Sequence, residues 1–466
     1  MNQPRTSPPV VSLPVVVVGA GPVGLAAAAH LLERGLEPLV LEQGNHAGAA
    51  VAAWGHVRLF SPWRYDVDAA ARRLLEPTGW DAPDPEALPT GAELVTQYLR
   101  PLAETAAISP RLRTSTRVLG VTRDSADKTR SRGRDRMPFR VRVVRDGVVE
   151  DLLAQAVIDT SGTWGHPNPL GVGGLPAPGE TDATDALAGP LPDVLGADRA
   201  DFAGRHTLVV GMGHSAANSL LSLVELAESA AGTQITWAIR GGSARRLFGG
   251  GADDELPARG LLGTRLKDAT ESGLVTLVRW ASIEQIIPET DGIRVLGRSR
   301  DDALDLTVSR IINATGFRPD LDITREIRLD LDPALECPRG LAELIDPNQH
   351  SCGTVPPHGE KLLAHPDAGF YIAGMKSYGR APTFLLATGY EQVRSIAAAL
   401  AGDRASADFV ELDLPATGVC STDSAQDAPG AACCGSSSEP QLVTLDIGAP
   451  GRGFATGVRD GRPGDA

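Results

Sequence analysis

The run Gly19-Ala20-Gly21-Pro22-Val23-Gly24 constrains this chain more than any other feature, because it follows four consecutive valines, Val15 to Val18, and opens a helical stretch. Four β-branched residues in a row read as a strand covered on both faces. The glycines supply the tight turn and close packing needed where such a strand passes directly into a helix. The arrangement recurs further along, where Leu208 to Val210 leads into Gly211-Met212-Gly213-His214-Ser215-Ala216. In each copy the missing side chains let backbone N–H groups and a helix N-terminus approach a pyrophosphate.

The strand that follows each turn ends in an opposite charge. The first, Pro38 to Glu42, closes on a carboxylate, which suits the ribose hydroxyls of FAD or NAD; the second, Ile235 to Ile239, is followed by Arg240, a guanidinium suited to the 2′-phosphate of NADP. The asymmetry reads as FAD first and NADPH second. The fold class expected is therefore α/β, with two Rossmann-like dinucleotide-binding domains.

The 466 residues carry a net charge of −14, with 42% hydrophobic and 22% charged residues. That balance fits a globular protein and argues against a broad basic footprint for nucleic acid or an anionic membrane. A small-molecule substrate and O2 are the expected partners, with a homodimer as the assembly to test. Five cysteines, an odd number without a scaffold of close pairs, fit the reducing cytosol, so a cytoplasmic location is expected. Segment 6–32 lacks Asp, Glu, Lys and Arg and so imitates a membrane anchor, but Pro14, Gly19, Gly21, Pro22 and Gly24 would interrupt a spanning helix.

Two further strands of one form, Ala156 to Gly162 (AVIDTSG) and Ile311 to Gly316 (IINATG), bracket the second turn. The expected organisation is an NADPH domain, 201–312, inserted in a discontinuous FAD domain, 10–200 and 313–405, with a disordered Cys-containing C-terminal tail, 406–466. Segment 54–65 concentrates Trp54, His56, Arg58, Phe60, Trp63, Arg64 and Tyr65 and could wall a cofactor or pack on the core. The arginine-rich insertion Arg123 to Arg136 reads as a solvated hairpin tip.

Gly19 to Gly24, Gly211 to Ala216 and Ala314-Thr315-Gly316-Phe317-Arg318-Pro319-Asp320, in that order, resemble the class B flavin monooxygenases over Val15 to Gly402. The stretches HVRLFSPWRYDVDAA, HSCGTVPPHG, GMKSYGRAPTFLLATGYEQVRS and LPATGVCS are similar to flavin-binding monooxygenases found among actinobacterial arsenic-resistance genes. The resemblance implies that Gly19, Gly21, Pro22 and Gly24 cradle the FAD pyrophosphate, with Glu42 on its ribose and the Val118 backbone at its adenine. It likewise implies Gly211, Gly213, His214 and Ser215 on the NADPH phosphates, and Arg240, helped by Arg245 or Arg246, on the 2′-phosphate. Thr315 and Gly316 would also contact cofactor, and Thr383 and Phe384 would approach the flavin pyrimidine ring. One departure is the stretch Phe202-Ala203-Gly204-Arg205-His206, which shortens the family's F-x-G-x-x-x-H.

That resemblance implies an FAD-containing, NADPH-dependent monooxygenase that passes oxygen from a flavin C4a-hydroperoxide to a soft nucleophile (sulfur, nitrogen or trivalent arsenic), with arsenic resistance as a setting to test. Such chemistry needs no protein nucleophile, and Arg58, Ser61, Trp63 and Arg64 are the candidates beside the reacting face. Cys337, His350, Cys352, His358 and His365 lack the short spacings of a zinc site, so no metal site is expected. Cys420, Cys433 and Cys434 are candidate metalloid ligands or incidental thiols. Two alternatives stay open: an NADPH-dependent reductase of disulfide, quinone or metalloid, and a metalloid carrier or sensor on the same fold.

Overall fold

The computed structural model describes residues 13–244, 257–290, 292–300, 302–347, 355–381 and 385–412, with 257–260 by backbone alone. The architecture is α/β and rests on two parallel sheets. In the first, β1 (Val15–Val18) lies between β2 (Pro38–Leu41) and β7 (Ala156–Asp159), with β3 (Leu112–Arg113) and β16 (Phe370–Ile372) at the edges. In the second, β9 (His206–Val210) lies between β10 (Gln234–Ala238) and β15 (Arg310–Asn313), with β11 (Thr276–Val278) and β8 (Leu187–Ala188) outermost. The second sheet is inserted between β7 and β16 of the first. β8 pairs with β15, so the second sheet also recruits residues on the amino-terminal side of position 201.

Why the central strands are continuously apolar is visible in what covers them. Val15 and Val17 pack under α1 (Pro22–Glu33) and α3 (Leu386–Leu400), in one core with Leu25, Leu31, Val393 and Ile396. Val16 and Val18 face the opposite way, onto Phe139, Val141 and Val143 of an antiparallel sheet formed by β4 (Thr116–Arg123), β5 (Phe139–Arg145) and β6 (Val148–Ala154). Successive residues of a strand point to opposite faces, so a strand covered on both sides cannot alternate apolar with polar. Each buried valine contributes roughly 1.5–3 kcal/mol.

The second half repeats the plan. Val209, Trp237 and Ile312 pack on α2 (His214–Ser229), while Leu208, Val210 and Ile311 face β12 (Ala281–Glu289), β13 (Gly292–Ser299) and β14 (Asp302–Val308).

The arginine-rich insertion differs from the expected solvated tip. Arg134 and Arg123 are both buried against the equally buried Asp367. Arg134 donates through Nε and Nη2 to the two Asp367 carboxylate oxygens, each at 2.8 Å. The Arg123 guanidinium lies 3.7 Å from the Phe139 ring centroid and donates to the Met137 carbonyl at 2.7 Å. The insertion is pinned because Asp367, from a segment far away in sequence, would otherwise be a lone buried anion. Burial by itself would raise the Asp367 carboxyl, but hydrogen bonds from Arg134 and the Arg328 backbone, with the charges of Arg134 and Arg123, hold it below its ordinary value of 3.8.

Breaking this pair with Arg134→Ala should therefore cost about 3 kcal/mol and lower the Tm at neutral pH. A depressed carboxylate stabilises the fold above its unfolded value and ceases to do so as pH falls through the folded one. The gap between wild type and variant should narrow below the ordinary Asp value of 3.8, which thermal melts across an acid pH series would check.

Candidate functional site

The first turn rises from β1 and is held against its neighbours by backbone. The Gly19 N–H donates to the Leu41 carbonyl at 2.7 Å, and Gly19 takes a φ of 97°. A Cβ on Gly24 would lie 2.0 Å from the Gly19 carbonyl oxygen, so only glycine lets α1 start this close to the strand end. Gly21, by contrast, faces open space: a Cβ there meets nothing within 4 Å. It precedes Pro22, the first residue of α1, and no side chain caps that helix N-terminus. An unobstructed helix start with free N–H groups fits a phosphate.

Glu42 lies at the end of β2, largely buried, and accepts the Ala20 and Gly44 N–H groups, each at 2.7 Å. Those bonds fix the carboxylate just past β2 while each oxygen keeps a further acceptor site. Val118 is nearby in β4, whose first residue, Thr116, donates its N–H to the Glu42 carbonyl at 2.8 Å.

Sequence reading missed the group beneath this turn. Lys376 is buried and donates from Nζ to Asp159 Oδ2 at 2.6 Å and to Ser161 Oγ at 3.1 Å, while the Ser161 hydroxyl donates to Asp159 Oδ1 at 2.6 Å. The available signal was an aspartate ending the otherwise apolar strand AVID, since a buried carboxylate needs a partner. Next to it the Gly374 N–H donates to Gln392 Oε1 at 2.8 Å, and the Gln392 amide bonds Ser377 and His358, each at 2.9 Å. Burial keeps His358 below its ordinary pKa and lowers that of His365 to about 4, so both are neutral near pH 7.

The second turn has the same division of labour. A Cβ on Gly211 would lie 2.0 Å from the Ala314 carbonyl oxygen, whereas Gly213 meets nothing within 4 Å. His214 and Ser215 open α2. Arg240 is exposed just past β10. The ring of His214 lies 5.2 Å from Phe60, which brings the aromatic segment of the first half onto the second turn.

Thr315 and Gly316 sit where the two chain crossings meet. Asn168 donates its N–H to the Gly316 carbonyl at 2.9 Å and its side-chain amide to the Thr315 carbonyl at 3.2 Å, and its own carbonyl accepts from Thr315 Oγ1 at 2.7 Å. Trp164 and Phe317 meet as a tilted ring pair, centroids 5.4 Å apart, beside this clasp.

The four residues nominated for the reacting face divide. Trp63 is buried; Arg58 is exposed and donates to the Leu88 carbonyl; Arg64 pairs with Glu86. Ser61 donates to Asp66 Oδ1 at 2.9 Å. Asp66 itself was missed: it is fully buried, its Oδ2 has no hydrogen-bond partner, and burial pushes its pKa up to about 7 against a single opposing hydrogen bond from Ser61.

Cys337 is buried and its thiol is pushed up to about 12, chiefly by burial. Thr383, Phe384, Arg245, Arg246, His350, Cys352, Cys420, Cys433 and Cys434 lie outside the described residues. Among the described residues no group of three or more His, Cys, Asp or Glu is arranged to hold a metal ion, and no helix is long and apolar enough to cross a membrane.

Gly24→Ala and Gly211→Ala should each lower the Tm by several degrees, whereas Gly21→Ala and Gly213→Ala should leave it within about 2 °C of wild type, because only the first pair meets backbone. For Asp66, a folded pKa near 7 against an ordinary 3.8 means that stability declines as pH rises between those values. Asp66→Asn should therefore gain in Tm over wild type by about 2–4 °C at pH 8 and by less at pH 5.

Among functionally curated proteins no relative matches the chain. Solved structures do share its fold. Bacillithiol disulfide reductase Bdr (YpdA) from Bacillus cereus superposes with a TM-score of 0.61 at 19% identity, over 84% of this chain and 99% of that one. DfoA, the desferrioxamine-pathway cadaverine monooxygenase from Erwinia amylovora, solved with FAD, gives 0.59 at 15% identity over 87% and 97%. The ornithine N-hydroxylase KtzI from Kutzneria sp. 744, solved with reduced FAD, NADP+ and L-ornithine, gives 0.53 at 16% identity over 85% and 100%. The pyridine nucleotide-disulphide oxidoreductase family matches residues 16–336, which takes in both glycine turns and the clasp between the crossings, and the chain belongs to that family of oxidoreductases.

Proposed function

We propose that this chain is an FAD-containing, NADPH-dependent monooxygenase of a small soft nucleophile. The observation that carries the reading is the pair of open glycine cradles, at Gly21 and Gly213, backed by a carboxylate at Glu42 and by a guanidinium at Arg240. Gly19, Gly21, Pro22, Gly24, Glu42 and Val118 would hold FAD; Gly211, Gly213, His214, Ser215 and Arg240 would hold NADPH. When bound, FAD supplies the two-electron redox chemistry and the reaction with oxygen. The protein's part would be to orient the two nucleotides on either side of the Phe60–His214 contact, and to keep water out with segment 58–66. The Ser61 hydroxyl, bonded to Asp66, can hold a proton at Oγ near the reacting face.

Cysteine placement favours oxygenation over dithiol relay. Residues 1–336 contain no cysteine, although they span both turns, and Cys337 is a buried, protonated thiol. DfoA is by name a cadaverine monooxygenase, and KtzI an ornithine N-hydroxylase. Trivalent arsenic is an acceptor of the same soft class, and its case rests on the motif resemblance and on Cys420, Cys433 and Cys434. The fold shared with a bacillithiol disulfide reductase supports the second reading, an NADPH-dependent reductase.

The test is turnover of purified, flavin-loaded protein with NADPH in labelled oxygen. A panel of amines, thioethers and methylated arsenite is offered as substrates. Incorporation of label into one product class, with NADPH preferred over NADH, is the expected result. A colourless protein that refuses added flavin sinks the proposal. Oxygen-independent turnover with a disulfide, quinone or arsenical instead establishes the reductase.

A further inference from the structure

Between β11 and β12 the chain turns through Arg279 and Trp280, and Trp280 holds a left-handed φ of 56°. A bulky side chain adopts that conformation only where its surroundings enforce it, and such residues cluster at ligand sites. Here both flanks are tied down. The Trp280 N–H donates to the Gly241 carbonyl at 3.1 Å, and the next N–H, of Ala281, donates to the Ile239 carbonyl at 2.9 Å. The indole lies so close to Gly242 that a Cβ there would be 2.2 Å from Cζ2.

Yet this tightly held indole is 42% exposed. A tryptophan serving only to fill a core would be covered. Around it stand three exposed arginines: Arg240 just before Gly241, Arg279 adjacent, and Arg300, whose guanidinium is 5.8 Å from the ring centroid. Among the described residues no carboxylate pairs with any of the three. They concentrate positive charge on a chain with a net charge of −14.

The turn also lies where it would matter. β10 and β11 are neighbours in the second sheet, and Arg240 and Trp280 follow their carboxyl ends. A dinucleotide on such a sheet lies across those ends, with its pyrophosphate at the glycine turn and its adenosine beyond the second strand. We propose that Trp280 is the platform on which the adenine of the phosphorylated nucleotide stacks, with Arg240, Arg279 and Arg300 receiving the 2′-phosphate, so that this turn selects NADPH over NADH. The proposal rests on the reading above that the second turn holds NADPH.

The test uses the flavin-loaded full chain and two probes, 2′,5′-ADP and 5′-AMP, titrated by calorimetry and by tryptophan fluorescence. Wild type should bind 2′,5′-ADP with a change in tryptophan emission that Trp280→Phe abolishes. Trp280→Ala should weaken both probes by about tenfold, with Trp280→Phe recovering most of the loss. Arg240→Ala should weaken 2′,5′-ADP by about tenfold or more and leave 5′-AMP nearly unchanged. Flavin content should be that of wild type throughout, and Trp280→Phe serves in place of Trp280→Ala if the latter melts early. Wild-type affinity in Trp280→Ala, an emission change surviving in Trp280→Phe, or loss confined to 2′,5′-ADP overturns the platform while leaving the NADPH reading intact. Failure of wild type to bind 2′,5′-ADP removes both.

Discussion

At both glycine turns, backbone presses on backbone with no room for a methyl group. Gly24 sits against the Gly19 carbonyl, and Gly211 against the Ala314 carbonyl, each with a prospective Cβ 2.0 Å from oxygen. The first contact sets α1 directly above the end of β1; the second sets the loop before α2 against the end of β15. Because each helix start is fixed by its strand, Gly21 and Gly213 border space in which an added Cβ would meet nothing within 4 Å, beside helix starts whose first N–H groups lack intrahelical partners. The cores on both faces of the two sheets stack outward from these contacts, and a shift at either turn would carry a helix with it.

The two halves are built on one plan, a parallel sheet with helices on one face and a three-stranded antiparallel sheet on the other. Even the strand ends correspond. Asp159 accepts from the N–H and hydroxyl of Ser161, and Asn313 likewise accepts from the N–H of Thr315. The difference between them is a charge. Asn313 needs no counter-ion, and its side-chain amide joins the clasp at Asn168, whereas Asp159 is an acid in the interior and recruits Lys376. A buried pair of this kind adds little net stability over an apolar substitute, but removing one partner costs several kcal/mol. It therefore ties the 374–378 turn to the end of β7, beside the first cradle.

Much of the fold around both turns was legible residue by residue. The valines of β1, the glycines, Glu42 and Arg240 belong to one short strand-turn-helix-strand pattern, and every spacing in it is local. The residues that were missed belong to contacts across long separations. Arg134 reads as one charge among many in a polar insertion, and only Asp367, arriving from beside β16, makes it a buried ion pair. Asp66 reads as one acid in a loop, and it is the covering by distant segments, including Tyr390, whose hydroxyl donates to the Asp66 carbonyl at 2.7 Å, that removes it from water. Trp280 carries no motif at all; its setting arises where the chain leaves the parallel sheet after β11 and starts β12 beside the loop that follows β10.

The amino-acid sequence alone determined that two strand-turn-helix units would form and that the strands after their turns would be followed by opposite charges, because glycine spacing, apolar runs and a strand's last residue act over a few neighbours. Tertiary structure alone decided which charged groups lost their solvent and how the halves were clasped at Asn168. Desolvation and side-chain convergence depend on segments hundreds of residues apart meeting in space, and no local pattern encodes that meeting.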